Sequence, residues 1–93
     1  MKLKKQEIDL RMSKLQDWQL SGDTIKKEYK FKDFSESMAF VVKIALEAEK
    51  VQHHPDMTIE YSRVKIVLTT YSEEGLTSKD FDLAEKIDTF VGA

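Results

Sequence analysis

Three features of the 93-residue chain predict an α+β fold, ordered α-β-β-α-β-β-α, with a four-stranded antiparallel sheet covered on one face by helices. Two pairs of short apolar/polar alternating runs lie between segments of helical periodicity. Each pair is joined by a turn too short for a parallel crossover. The helical segments supply the apolar layer that a half-wet antiparallel sheet requires.

The first segment, about Lys4 to Gln16, carries Ile8, Met12 and Leu15 at helical spacing, with Leu10 nearby and charges between them. Trp18-Gln19-Leu20 then alternates, and Ser21-Gly22-Asp23 reads as a turn. Ile25, Lys27, Tyr29 and Phe31 share one side of the next run, with Lys26, Glu28 and Lys30 on the other, which completes a hairpin with one wet face. Asp33 is placed to cap a long helix, with Glu36 as its capping-box partner. Phe34, Met38, Val41, Val42, Ala45 and Ala48 form its expected core stripe. Phe40, Ile44 and Val51 widen the apolar surface beyond what one face needs, an excess that suits contact with a partner chain. Beyond Pro55, Ile59 and Tyr61 alternate in a third strand and Val64, Ile66 and Leu68 in a fourth, with Ser62-Arg63 as the tight turn or kink between them. Glu73-Glu74-Gly75 reads as a loop, and Thr77 with Asp80 opens a last helix carrying Phe81, Ala84, Ile87 and Val91.

Composition narrows the function classes. Residues 1–93 suit one domain with a single modest core, 41% hydrophobic under a surface to which charged residues contribute 34% of the chain. Fifteen basic against seventeen acidic residues, with no sustained Lys/Arg block beyond Lys2 to Lys5, argue against direct nucleic-acid binding. Cysteine is absent, which excludes disulfides and thiolate metal sites. No run approaches the ~20 apolar residues of a membrane span, and the charged N-terminus lacks a secretory apolar core, so a cytoplasmic location is expected.

The chemistry concentrates in Ala48-Glu49-Lys50-Val51-Gln52-His53-His54-Pro55, which holds both histidines and the only proline. Histidine, with an unperturbed pKa of roughly 6.5, exchanges protons near neutrality. Pro55 disfavours helical geometry at His54, so the pair is expected on the last turn of the long helix or just past it. Glu49 and His53, four apart, are expected on one helical face, either as a catalytic carboxylate–imidazole pair or as an exposed ion pair. A metal centre needs three or four ligands, and with no third histidine or cysteine none is expected.

Several spaced motifs together resemble the pterin-4a-carbinolamine dehydratases, from about Trp18 to Phe90. They are Phe31-Lys32-Asp33-Phe34, Ala48-Glu49-Lys50 leading to His53-His54-Pro55, Tyr61 six residues later, and Gly75-Leu76-Thr77 followed by Asp80 and Leu83-Ala84. The resemblance implies the same α+β sandwich, a homodimer or homotetramer, no cofactor, and dehydration of 4a-hydroxytetrahydrobiopterin to quinonoid dihydropterin. It implies catalytic roles for His53, His54 and Glu49, and places Asp80, Pro55 and Tyr71 against the substrate. Tyr71 marks a departure, because it follows Thr70 where the family usually has a third histidine. An unperturbed tyrosine, with a pKa near ~10, is a poor base at neutrality. Relatives of this family also serve as a dimerisation cofactor of a homeodomain transcription factor or as Rubisco assembly factors, so a non-catalytic binding role is the alternative. Which histidine acts as acid and which as base stays open.

Overall fold

Gly22 and Asp23 turn β1 (Gln19–Ser21) back onto β2 (Thr24–Lys30), with Ser21 paired to Thr24 and Gly22 in the left-handed region at φ 58° that glycine adopts freely. The structure, a computed structural model, describes residues 1–91. The remaining elements are α1 (Lys5–Ser13), α2 (Phe34–Val51), β3 (Asp56–Glu60), β4 (Arg63–Leu68), a short 3-10 turn (Tyr71–Glu73) and α3 (Ser78–Asp88). The expected element order and antiparallel sheet are both present, with strands side by side in the order β1-β2-β4-β3. The second hairpin turns one residue earlier than Ser62-Arg63. Arg63 already pairs with Glu60, and the loop is Tyr61-Ser62, with Tyr61 at φ 52°.

Strand alternation settles which face is covered. Ile25, Tyr29, Val64, Ile66 and Leu68 point inward and are nearly or fully buried against Phe40 and Ile44 of α2 and Phe81, Ala84 and Ile87 of α3. Each such aliphatic or aromatic side chain contributes about 1.5–3 kcal/mol on full burial. Lys26, Glu28, Arg63 and Lys65 occupy the opposite, solvent-facing side. At the sheet's first edge Asp88 of α3 ties several elements together. Its carboxylate accepts from Tyr29 Oη at 2.5 Å, Lys27 Nζ at 2.9 Å and Trp18 Nε1 at 3.1 Å. Burial, then the hydrogen bond to Asp88, push the Tyr29 hydroxyl far above the usual tyrosine range.

Three expectations about the helices need correction. In α2 the buried stripe is Ser37, Phe40, Val41, Ile44 and Ala48, whereas Phe34, Val42 and Ala45 are exposed and Met38 is half-buried. Apolar residues occupy so much of this helix that spacing alone does not choose the face. The opening helix spans Lys5–Ser13, stops short of Gln16 and buries no residue completely. Ile8, Met12 and Leu15 pack partly against the core, while Arg11 bridges Asp82 and Glu85 and lies 5.3 Å from the Phe81 ring centre. The final helix ends at Asp88, so Val91 packs partly against the core from beyond it.

Candidate active site

Gln52, not Pro55, ends α2. It adopts the left-handed conformation at φ 54°, ψ 45°, and its N–H returns to the Ala48 carbonyl. His53 N–H also reaches Ala48 O, at 3.1 Å, so both histidines fall just past the helix in a loop that Pro55 keeps extended. The two rings meet different surroundings: His53 is buried, and the His54 side chain is 53% exposed.

His53 Nε2 lies 2.6 Å from Oδ1 of Asp80, a carboxylate with no solvent exposure. The other oxygen, Oδ2, accepts from Thr70 Oγ1 at 2.7 Å and from the Thr77 N–H at 2.9 Å. Thr77 caps α3 and Asp80 is the third residue of that helix, so the carboxylate also sits where the helix dipole favours negative charge. Thr70, just beyond β4, is fixed by a bridge to Gly75, its N–H reaching Gly75 O at 3.1 Å and its carbonyl accepting from Gly75 N at 3.4 Å. Thus the ends of α2 and β4 and the start of α3 meet on one buried carboxylate.

The expected pairing of Glu49 with His53 is not formed. Because α2 stops at Val51, His53 has left Glu49's helical face, and it is His54 Nε2 that approaches Glu49 Oε2, at 2.5 Å. Tyr71 is 72% exposed and opens the 3-10 turn directly after Thr70. Its hydroxyl donates to Asp56 Oδ2 at 2.7 Å, next to Pro55, and this hydrogen bond raises its pKa above the ordinary tyrosine value. The His53–Asp56 loop and the Thr70–Tyr71 corner are therefore neighbours. Asp56 and Thr70 had no assigned part in the sequence reading, and Thr77 was read only as a cap. The Thr77-x-x-Asp80 spacing was the one available signal for that network.

His53 also forms part of the wall of a cleft of about 270 Å³ between α2 and α3, shared with Val51, Leu83, Lys79 and Lys86. A wider groove of about 660 Å³ runs along the open sheet face by Lys26, Glu28, Lys65 and Val67. It contains neither histidine, whereas the smaller cleft contains His53 but not His54. Among the described residues no group of three or more histidine, aspartate or glutamate side chains is arranged to hold a metal ion, and no helix is long and apolar enough to cross a membrane.

A family model described as Pterin 4 alpha carbinolamine dehydratase matches residues 1–90. A Sulfolobus acidocaldarius protein provisionally named pterin-4-alpha-carbinolamine dehydratase is 46% identical over 88 residues, covering 95% of this chain and 97% of its own. A protein of the same provisional name from Trichormus variabilis is 49% identical over 81 residues, 87% of each chain. The crystal structure of a transcriptional coactivator/pterin dehydratase from Brucella melitensis matches with a TM-score of 0.95 at 36% identity, covering 99% of this chain and 100% of that one. A pterin dehydratase-like RuBisCO assembly factor of the alpha-carboxysome has a TM-score of 0.68 at 19% identity over 82% of this chain and 88% of its own, a likeness of fold alone. The match over nearly the whole chain, with the fold and these relatives, establishes that the protein belongs to the pterin 4 alpha carbinolamine dehydratase family.

Proposed function

We propose that this protein dehydrates 4a-hydroxytetrahydrobiopterin to quinonoid dihydropterin in tetrahydrobiopterin recycling, with His53 and His54 carrying the protons. The observation that supports this reading most is that each histidine is paired with its own carboxylate, His53 with Asp80 and His54 with Glu49. The reaction needs a protonated group to give its proton to the 4a-hydroxyl as the C4a–O bond breaks and water leaves. The N5 lone pair then closes the C4a=N5 double bond, and a base removes the N5 proton. Two imidazoles suit both tasks near neutral pH. Glu49 steadies His54. Asp80, sealed from solvent, acts through His53 and not on the substrate directly, whereas Pro55 and Tyr71, the latter hydrogen-bonded to neighbouring Asp56, are assigned to substrate contact. Absorbance-followed dehydration of a synthetic carbinolamine tests the proposal: acceleration above the uncatalysed rate is expected, and a rate equal to buffer would reject it.

No metal is assigned to the reaction, because general acid/base transfer by two imidazoles suffices. The rate is therefore expected to survive exhaustive chelation. Loss of most activity, restored by a divalent ion, would contradict this.

Tyr71 occupies the third-histidine place as a contact residue. Tyr71→Phe deletes a hydroxyl that bonds Asp56 in an exposed setting and is expected to lower turnover by less than about tenfold. Tyr71→His is expected to preserve or raise it, since it restores a group that titrates near neutrality. A loss with Tyr71→Phe as large as that of either histidine variant would make the tyrosine itself an acid catalyst.

The chain is further proposed to act as a homodimer or homotetramer in the cytoplasm without binding nucleic acid directly. Val42 is 52% and Leu46 68% exposed on the side of α2 away from its core stripe, and Phe34 is 49% exposed at its first turn, together an exposed apolar strip. The open sheet face alternates in sign, with Lys65 bridging Glu60 at 3.3 Å, and offers no uniform positive surface. Light scattering at micromolar concentration is expected to give a multiple of the 10.8 kDa chain mass, reduced in a Val42→Asp/Leu46→Lys variant. A wild-type monomer would contradict the assembly. The alternative, a non-catalytic assembly role on the same scaffold, draws support from Tyr71 in the histidine position and from that exposed strip.

A further inference from the structure

We infer that Thr70 is a positioning residue that, acting through Asp80, holds His53 with its hydrogen on Nε2, so that Nδ1 is the nitrogen that receives the substrate proton. The inference rests on the dehydratase reading for its chemistry, and on hydrogen-bond directions for its geometry.

The direction of each bond can be worked out from one end. Lys79 N–H approaches Thr77 Oγ1 at 3.3 Å, and a backbone amide can only donate. Thr70 Oγ1 gives its single hydrogen to Asp80 Oδ2, so in its 2.8 Å contact with Thr77 Oγ1 it accepts and Thr77 donates. The Thr77 N–H fills Oδ2 further. With Oδ2 taking two donors, Oδ1 is left to His53, and an acceptor there requires hydrogen on Nε2. Nδ1 has no hydrogen-bond partner among the described residues. Among the described residues no buried side-chain nitrogen or oxygen lacks a partner, so Nδ1 is the ring atom open to solvent or substrate. In the neutral ring that nitrogen holds a free lone pair.

The proton account follows. His53 Nδ1 forms the new N–H bond as the N5–H bond breaks, while the N5 electron pair becomes the C4a=N5 double bond. His54 supplies the proton that leaves with the 4a-oxygen as water. Both rings return to their starting states by exchange with solvent. Asp80, hydrogen-bonded to Nε2, stabilises the imidazolium formed on His53.

Long-range ¹H–¹⁵N correlation spectra of the full chain read the tautomer directly, and with only two histidines a His54→Gln variant assigns them. Wild type is expected to show His53 as the Nε2–H tautomer. Thr70→Val, close in shape but without the hydroxyl, leaves Oδ2 only the Thr77 N–H and so frees the carboxylate to turn away from His53; it should shift His53 toward mixed tautomers and lower kcat by roughly tenfold with little change in KM, the lower end of what losing an outer partner costs a metal-bound histidine. Thr70→Ser should restore both readouts. An Nδ1–H tautomer in wild type overturns the inference, as does an unchanged His53 spectrum and kcat in Thr70→Val. Should Thr70→Val fail to fold, Thr70→Ala, which also removes the hydroxyl, takes its place with the same two readouts and the same overturning result. A chain with the expected tautomer and Thr70 dependence but no dehydration would keep the positioning role and reject the dehydratase reading.

Discussion

His53→Ala and His54→Ala are each expected to lower dehydration turnover by about 10²-fold or more, the loss typical when a general acid or base is removed. The two differ in their side effects. His53 is buried and satisfies Oδ1 of Asp80, so its removal leaves a buried acceptor with one partner fewer and is expected to cost stability as well, about 1–3 kcal/mol. His54 is more than half exposed and bonded to an exposed Glu49, so its removal should leave stability within about 0.5 kcal/mol. His54→Ala is therefore the cleaner chemical test. Turnover measured beside a denaturant unfolding curve separates the effects, and a His54→Ala enzyme with wild-type turnover would remove that residue from the mechanism.

Asp80→Ala is expected to be the most destabilising substitution at the site. It takes one acceptor from three donors, His53 Nε2–H, Thr70 Oγ1–H and Thr77 N–H, at a position with no solvent to replace it. Stranding buried partners in this way costs about 3–5 kcal/mol, a large share of the roughly 5–15 kcal/mol that holds a small domain folded. Asp80→Asn keeps the shape and one carbonyl oxygen but sets an NH₂ against donors, so its loss should be intermediate. Denaturant midpoints in the order wild type, Asn, Ala are the expected result, and an alanine variant within about 1 kcal/mol of wild type would contradict the network.

Element order was legible because strand alternation and hairpin length are local. The faces of Ile25, Tyr29, Val64, Ile66 and Leu68 could be read from a period of two alone. The buried face of α2 was not legible. Ser37, polar yet with no exposure, lies in the true stripe with its hydroxyl satisfied by Asp33 O at 3.2 Å, while apolar Phe34 and Val42 face outward. The histidine loop could be placed, but not its partners. Gln52 adopts a left-handed turn without being glycine, and that turn hands Glu49 to His54. His53 finds its carboxylate 27 residues away, a contact created only when α2 and α3 settle on the same face of the sheet.

The most direct measurement is the rate of dehydration of a synthetic 4a-carbinolamine, followed by absorbance with wild type and with a His53→Ala/His54→Ala double variant at equal folded concentration. The expected result is a wild-type rate well above buffer and a double variant indistinguishable from it. A double variant as fast as wild type, or a wild type no faster than buffer, would contradict histidine-based catalysis by this chain.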